Sequence, residues 1–235
     1  MKIFLDAHEI VDRKTSSRLA KFGAYRYTFL FIAILAQFIL VPILEEMAVN
    51  FVPLVFILVV FGVLGTLGLR RRFLYGILGL GTTASLTYYF GRLLYAQGAS
   101  HPYLFITGLS LDIVFLLIVV AILTLKIFSE DEVTGETIKG GISVYFMLGF
   151  LWSYAYLMVL FLDPGAISFP APVERLSIIT YFSFTTLTTL GYGDITPLSW
   201  MARNLVILQS TTGPIFLTVL IARLVGLHIA IKSKS

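Results

Sequence analysis

The chain has 235 residues, 58% of them apolar and only 13% charged, with 17 Lys and Arg against 13 Asp and Glu for a net charge of +4. Soluble domains carry about 25% charged residues, so there is too little charge here to cover a surface in water, and a mean hydropathy of +0.93 places the chain in a bilayer. That excludes a water-soluble enzyme, a disordered tail and a nucleic-acid binder, and the absence of cysteine excludes disulfides, a thiol nucleophile and thiolate metal sites.

Residues 1–26 are rich in charge, with Phe4, Ala7, Val11, Leu19 and Phe22 roughly on one side. They read as a helix lying on the inner membrane surface, too charged to be the apolar core of a signal peptide. Six apolar runs follow, at 27–44, 51–69, 73–96, 103–126, 141–162 and 201–226, each near the length of about 20 residues that crosses hydrocarbon. Glu45-Glu46, Arg70 to Arg72, Gly98 to Pro102 and the acidic turn Ser129 to Glu136 punctuate them. In the second and third runs Gly62, Gly65, Gly68, Gly76 and Gly79 predict close helix packing. The fourth run holds a costly buried charge, Asp112, for which Arg92 near the outer end of the third run is the expected partner. Residues 103–125 contain no Lys or Arg, so the fourth run lacks the ladder of gating charges that a voltage sensor needs.

With the N-terminus inside, 14 of the 17 Lys and Arg fall on the cytoplasmic side, leaving Arg92, Arg175 and Arg203 toward the outside. The positive-inside rule then puts both termini in the cytoplasm and residues 163–200 outside. This last segment opens with a stretch rich in Pro and Gly (Asp163, Pro164, Gly165, Pro170, Pro172) and continues into an apolar run, Leu176 to Leu187, too short to span. Such a run reads as a re-entrant or buried helix. Behind it comes Thr189-Leu-Gly-Tyr-Gly193, which can present a row of carbonyl oxygens in one direction if its backbone alternates in hand. Gly191 and Gly193 adopt positive φ without a Cβ clash, and the Thr189 hydroxyl is placed to add an innermost ring. Neutral carbonyls suit a monovalent ion, and no carboxylate precedes Asp194 in the stretch.

Thr186-Leu-Thr-Thr-Leu-Gly-Tyr-Gly193 matches the potassium channel signature T-x-x-T-x-G-Y-G at every fixed position. The likeness extends from Tyr181-Phe-Ser through Asp194-Ile-Thr-Pro197 to Ile221-Ala-Arg-Leu-Val225. Over about 141–230 the chain resembles the pore module of the two-helix ion-channel family found in many bacterial channels. Together with the apolar runs, the resemblance implies an all-α membrane protein of six transmembrane helices, with a re-entrant pore helix and selectivity filter between spans five and six. Residues 1–26 would be a cytoplasmic segment, 27–126 a four-helix domain lacking sensor charges, and 141–230 the pore domain. Within that domain it implies an outer helix at 141–162, a pore helix at 176–188, a filter at 189–193 and an inner helix at 201–226.

The resemblance assigns K⁺ to Thr189, Leu190, Gly191 and Tyr192, with Gly193 completing the filter. Tyr181 stands where an aromatic, usually Trp, hydrogen-bonds the residue matching Asp194, and Thr185 stands where some members carry a carboxylate. Gly213 matches the hinge glycine of the inner helix, and Pro214 would add a kink. Leu217, Ile221 and Val225 recur on one face below it, the last two about 12–18 Å from Gly213, where an apolar ring can block ions by dewetting. The expectation is a homotetrameric, K⁺-selective channel of the cell membrane, passive and not voltage-gated, surrounded by lipid and needing no cofactor, nucleic acid or catalytic group. A weakly selective monovalent cation channel and a cation transporter subunit are the alternatives.

Overall fold

The computed structural model describes residues 25–47, 59–63, 71–96, 103–170 and 176–232. The expected surface helix before residue 25, most of the second run with Gly65 and Gly68, and Arg70 lie outside these residues. Six helices and one two-stranded pairing are described: α1 (Arg26–Glu46), α2 (Arg71–Ala96), α3 (Tyr103–Phe128), α4 (Gly135–Leu162), β1 (Ile167–Ser168), α5 (Leu176–Leu187), β2 (Thr196–Pro197) and α6 (Trp200–Lys232). Residues 59–63, inside the second run, are also helical. Among the described residues four helices are long and apolar enough to cross a membrane, namely α1, α3, α4 and α6. Helix α2 covers the third run over 26 residues but is diluted by Gly, Thr and Ser. Helix α5 is a shorter apolar helix of 12 residues.

Helix α4 starts at Gly135 rather than at 141. Thr134 accepts the backbone N–H of Thr137 (3.2 Å), and the Thr137 hydroxyl accepts the N–H of Thr134 (3.3 Å), a reciprocal cap that satisfies two orphan donors. The cap draws Glu136 out of the expected acidic turn and into the first turn of the helix. Only residues 129–134 then separate α3 from α4, and so short a link makes the two helices neighbours. Helix α3 packs along both α2 and α4, and α1 lies against α4, so the N-terminal helices rest on the C-terminal half of their own chain. One buried cluster joins the two halves, with Tyr27, Leu30, Leu116, Val144, Met147 and Leu220 among its members.

Helix α1 has no cap from its own Tyr25. Its first N–H groups reach Glu136, whose Oε2 accepts from Tyr27 N (2.9 Å) and Thr28 N (3.0 Å), the latter shared with Tyr25 O (3.1 Å). Lys139 Nζ closes the group with bonds of 2.8 Å to both Thr28 Oγ1 and Glu136 Oε1. A carboxylate at a helix N-terminus meets both the orphan donors and the positive end of the macrodipole, which fixes the start of α1 on the start of α4.

Two expectations about the N-terminal helices are corrected. A Cβ on Gly91 would collide with the backbone of Phe105, and one on Gly108 with the backbone of Tyr88. These glycines carry the close α2–α3 contact, whereas Gly76 and Gly79 meet nothing within 4 Å among the described residues because they sit on an exposed face of α2. Gly62 does fit the packing role, since a Cβ there would lie 3.0 Å from Leu30 Cα. Arg92 forms an ion pair with Glu45 at the end of α1 (3.8 Å), and the buried Asp112 keeps its Oδ1 without a hydrogen-bond partner.

The glycine assignment is testable by thermal unfolding in detergent. Gly108→Leu forces α2 from α3 and should cost at least about 1–3 kcal/mol, lowering the unfolding midpoint. Gly76→Ala should leave the midpoint unchanged or raise it, since alanine adds up to about 1 kcal/mol of helix propensity.

Candidate ion-conduction site

Helices α4, α5 and α6 meet around a buried polar network. Gln209 of α6 is fully buried; its Nε2 donates to Ser183 O (2.9 Å) and Ser183 Oγ (2.8 Å) on α5. Its Oε1 accepts from the Tyr156 hydroxyl of α4 (2.7 Å), and Ser183 Oγ donates onward to Gly149 O of α4 (2.7 Å). Every polar atom here has a partner, so the network orients three helices that apolar packing alone would let slide. Gly149 is a glycine because the Phe184 ring occupies the space of a Cβ. Gly213 is where α6 passes closest to the end of α5, since the Leu187 carbonyl oxygen stands where its Cβ would be. The same carbonyl accepts from the Tyr145 hydroxyl (3.3 Å). Helix α6 runs through Gly213 and Pro214 as one element, to Lys232 instead of 226.

The backbone leaves α5 at Leu187 and folds its first N–H groups onto the last carbonyls of that helix. Thr188 N donates to Phe184 O (3.0 Å), Thr189 N to Thr186 O (3.0 Å), and Leu190 N and Gly191 N both to Thr185 O (2.9 and 3.1 Å). Positive φ then recurs at every second residue, 59° at Thr189, 52° at Gly191 and 80° at Gly193. Alternation of this kind turns successive peptide groups in a regular way and leaves their carbonyls outside any helix or ladder. Two of the three sites are glycine; the third places a threonine where L residues pay about 1–2 kcal/mol. The Thr189 hydroxyl donates to Thr188 O (2.6 Å), which keeps its oxygen lone pairs available. Residues 189–193 are all exposed in the single chain.

Past the glycines the chain is braced twice. The Tyr181 hydroxyl donates to Asp194 Oδ2 (2.9 Å), and the Tyr181 ring lies nearly parallel to Tyr192 with centroids 6.5 Å apart. Strand β2 pairs antiparallel with β1 in the register Ile167↔Pro197 and Ser168↔Thr196, extended by Leu198 N to Ala166 O (2.8 Å). Thr185 reaches the 189–193 stretch through its carbonyl alone, because its hydroxyl bonds back to Phe182 O (3.0 Å). Beside it a cavity of ≈ 280 Å³ opens between α1 and α5, lined by Gln37, Thr180, Tyr181, Thr185 and Leu190 among others.

On α6, Phe216, Leu220 and Leu224 pack inward, with Leu220 over Gly141 and Phe216 stacked on Tyr145. The other face carries Pro214, Ile221 and Val225, of which Ile221 is 58% and Val225 51% exposed, and the half-buried Leu217. Packing against α4 therefore does not account for Ile221 and Val225. Among the described residues no cluster of three or more His, Cys, Asp or Glu is placed to hold a metal ion.

Residues 113–228 match a family model described as "Ion channel". The match indicates an ion channel, and with it a non-enzyme, and runs from within α3 nearly to the end of α6. No curated protein and no solved structure matches the chain.

Two residues that position this site escaped the sequence reading. Glu45, read only as punctuation between runs, caps α5: its Oε1 accepts from Leu176 N (2.8 Å) and its Oε2 from Ser177 N (2.9 Å). The available signal was an acidic pair closing an apolar helix, where negative charge opposes the macrodipole of that helix and so serves something else. Gln209 was visible as an amide inside an apolar run. Replacing it tests the network: Gln209→Leu strands the Tyr156 hydroxyl, while Ser183 Oγ keeps its bond to Gly149 O, and should cost about 1–3 kcal/mol for the buried group left unpaired, read as a lower unfolding midpoint of the purified protein.

Proposed function

We propose that four copies of this chain surround a common axis and conduct K⁺ passively through rings of carbonyl oxygens from Thr189, Leu190, Gly191 and Tyr192. The observation that carries this reading is the recurrence of positive φ at Thr189, Gly191 and Gly193 at the end of a short apolar helix. One strand offers oxygens on one side only, and a dehydrated cation needs them all round, so a ring of chains completes each site. Cyclic assembly with one heterologous interface closes such a ring. The uncovered Leu190 and Tyr192 and the unpacked face of α6 are the surfaces that neighbours and the pore would occupy. Asp194, held by Tyr181, adds carboxylates at the outer mouth, where they raise the local cation concentration.

Conduction requires several sites of moderate strength in series, so that one ion displaces the next. Neutral carbonyls fit that need. In this reading all six apolar runs span, both termini are cytoplasmic, and the fourth run, without Lys or Arg between 103 and 125, contributes no gating charge. The inner mouth is the apolar ring of Ile221 and Val225. A weakly selective cation channel is the second reading, favoured by one feature: the Thr185 hydroxyl is spent on Phe182 O, so Tyr181 is the side chain of α5 that bonds Asp194.

Bilayer recording under a K⁺/Na⁺ gradient tests the function. The wild type should reverse near the K⁺ equilibrium potential, and Gly191→Ala, strained at φ 52°, should lose K⁺ current or preference while still inserting. An unchanged K⁺ preference in that variant would remove the filter assignment. Single cysteines at 217, 221 and 225, introduced into a chain without native cysteine, map the inner pore. Cytoplasmic thiol reagents should block at least 221 and 225, and block at none of the three would misplace the pore-lining face.

A further inference from the structure

Helix α5 has an unusual partner at its N-terminus. The first N–H groups of a helix lack intrahelical acceptors, and those of Leu176 and Ser177 are taken by the two oxygens of one carboxylate, Glu45 (2.8 and 2.9 Å). The residue that supplies this accepting carboxylate is distant in sequence and belongs to the last turn of α1. Of the acidic pair there, Glu46 is exposed and Glu45 is turned inward and buried. Negative charge is unfavourable at the C-terminus of α1 and favourable at the N-terminus of α5, so the charge of Glu45 stabilises the second helix at the expense of the first. On its other side Glu45 Oε1 meets Arg92 Nη1 of α2 at 3.8 Å.

The opposite ends of these helices matter equally. Helix α1 is fixed at its start by Glu136 of α4. Helix α5, with only 12 residues, is about 18 Å long, and the Thr185 carbonyl near its far end holds the N–H groups of Leu190 and Gly191. A shift at Leu176 is therefore delivered to 189–193 through a single short rigid element. We propose that Glu45 is a positioning residue for the filter, that it holds α5 from the first span, and that Arg92 sets the firmness of that hold. The N-terminal helices thereby act on ion selectivity through one carboxylate. This inference rests on the reading of 189–193 as the ion filter.

The test uses the full chain in lipid vesicles with two readouts, amide hydrogen exchange over 176–187 and the reversal potential in mixed K⁺ and Na⁺. Glu45→Leu keeps the volume and deletes the cap, Glu45→Gln keeps one acceptor without the charge, and Arg92→Gln leaves both backbone bonds in place. Exchange at the start of α5 should rise about fivefold in Glu45→Leu, less in Glu45→Gln and least in Arg92→Gln, and the K⁺/Na⁺ permeability ratio should fall in the same order. Glu46→Gln should match the wild type. Should Glu45→Leu fail to assemble, the graded response of the Gln variants decides. Unchanged exchange in the Glu45 variants would overturn the cap. Raised exchange with an unmoved reversal potential would overturn the positioning role, since a purely structural cap changes the yield of folded protein but not the selectivity of open channels. An unselective wild type instead overturns the filter reading, and is told apart because it fails with no substitution made.

Discussion

A backbone that turns its carbonyls outward toward an ion gives up the hydrogen bonds that would otherwise hold it. Residues 189–193 make neither a helix nor a ladder, and positive φ at Thr189, Gly191 and Gly193 sets them in a conformation that L residues avoid when left to themselves. Such a stretch keeps its shape only when its surroundings over-determine it. The supports are few and specific: the Thr185 carbonyl beneath Leu190 and Gly191, the Tyr181–Asp194 bond beyond them, and the β1–β2 pairing past that. Two of the three act through α5 directly.

Much of the C-terminal half is arranged to keep that short helix still. Twelve residues are too few to be stable as an isolated helix in water, so α5 depends on tertiary contacts. Gln209, itself held by the Tyr156 hydroxyl, grips it at Ser183, Gly149 lets α4 approach Phe184, and Gly213 lets α6 approach Leu187. Glu45 closes the N-terminus. In lipid, apolar side chains gain packing but no hydrophobic driving force on association; the polar bonds and the glycine approaches fix the register. A match to an ion-channel family over 113–228 runs from within α3 through α4 and α5 nearly to the end of α6 and leaves α1 and α2 outside.

The sequence was most legible where chemistry is local. The apolar run Leu176 to Leu187 coincides with α5, and the runs at 27–44 and 103–126 lie within two residues of α1 and α3. The glycines at 191 and 193 were readable because positive φ is a property of one residue; Thr189 was not, since nothing about threonine announces it. Contacts between distant residues were the least legible. Glu45 and Leu176 are 131 positions apart, and their pairing follows from how α1 lies against α5, which no periodicity encodes. The close-packing glycines illustrate the same limit: any glycine in an apolar helix permits approach, and the crossing of α2 over α3 selects Gly91 and Gly108 and leaves Gly76 and Gly79 on an exposed face. The start of α4 was missed for a local reason, the reciprocal Thr134–Thr137 cap lying inside a stretch that charge had marked as a turn.

The central claim is that the carbonyls of Thr189 to Tyr192 are the ion sites of a fourfold pore. Anomalous diffraction from crystals of the assembled protein grown with Tl⁺ in place of K⁺ tests it most directly. The account predicts several peaks in a line on a fourfold axis, each between rings of carbonyl oxygens from residues 189–192. Peaks confined to the Asp194 carboxylates, or an assembly with no axis passing these carbonyls, would contradict it.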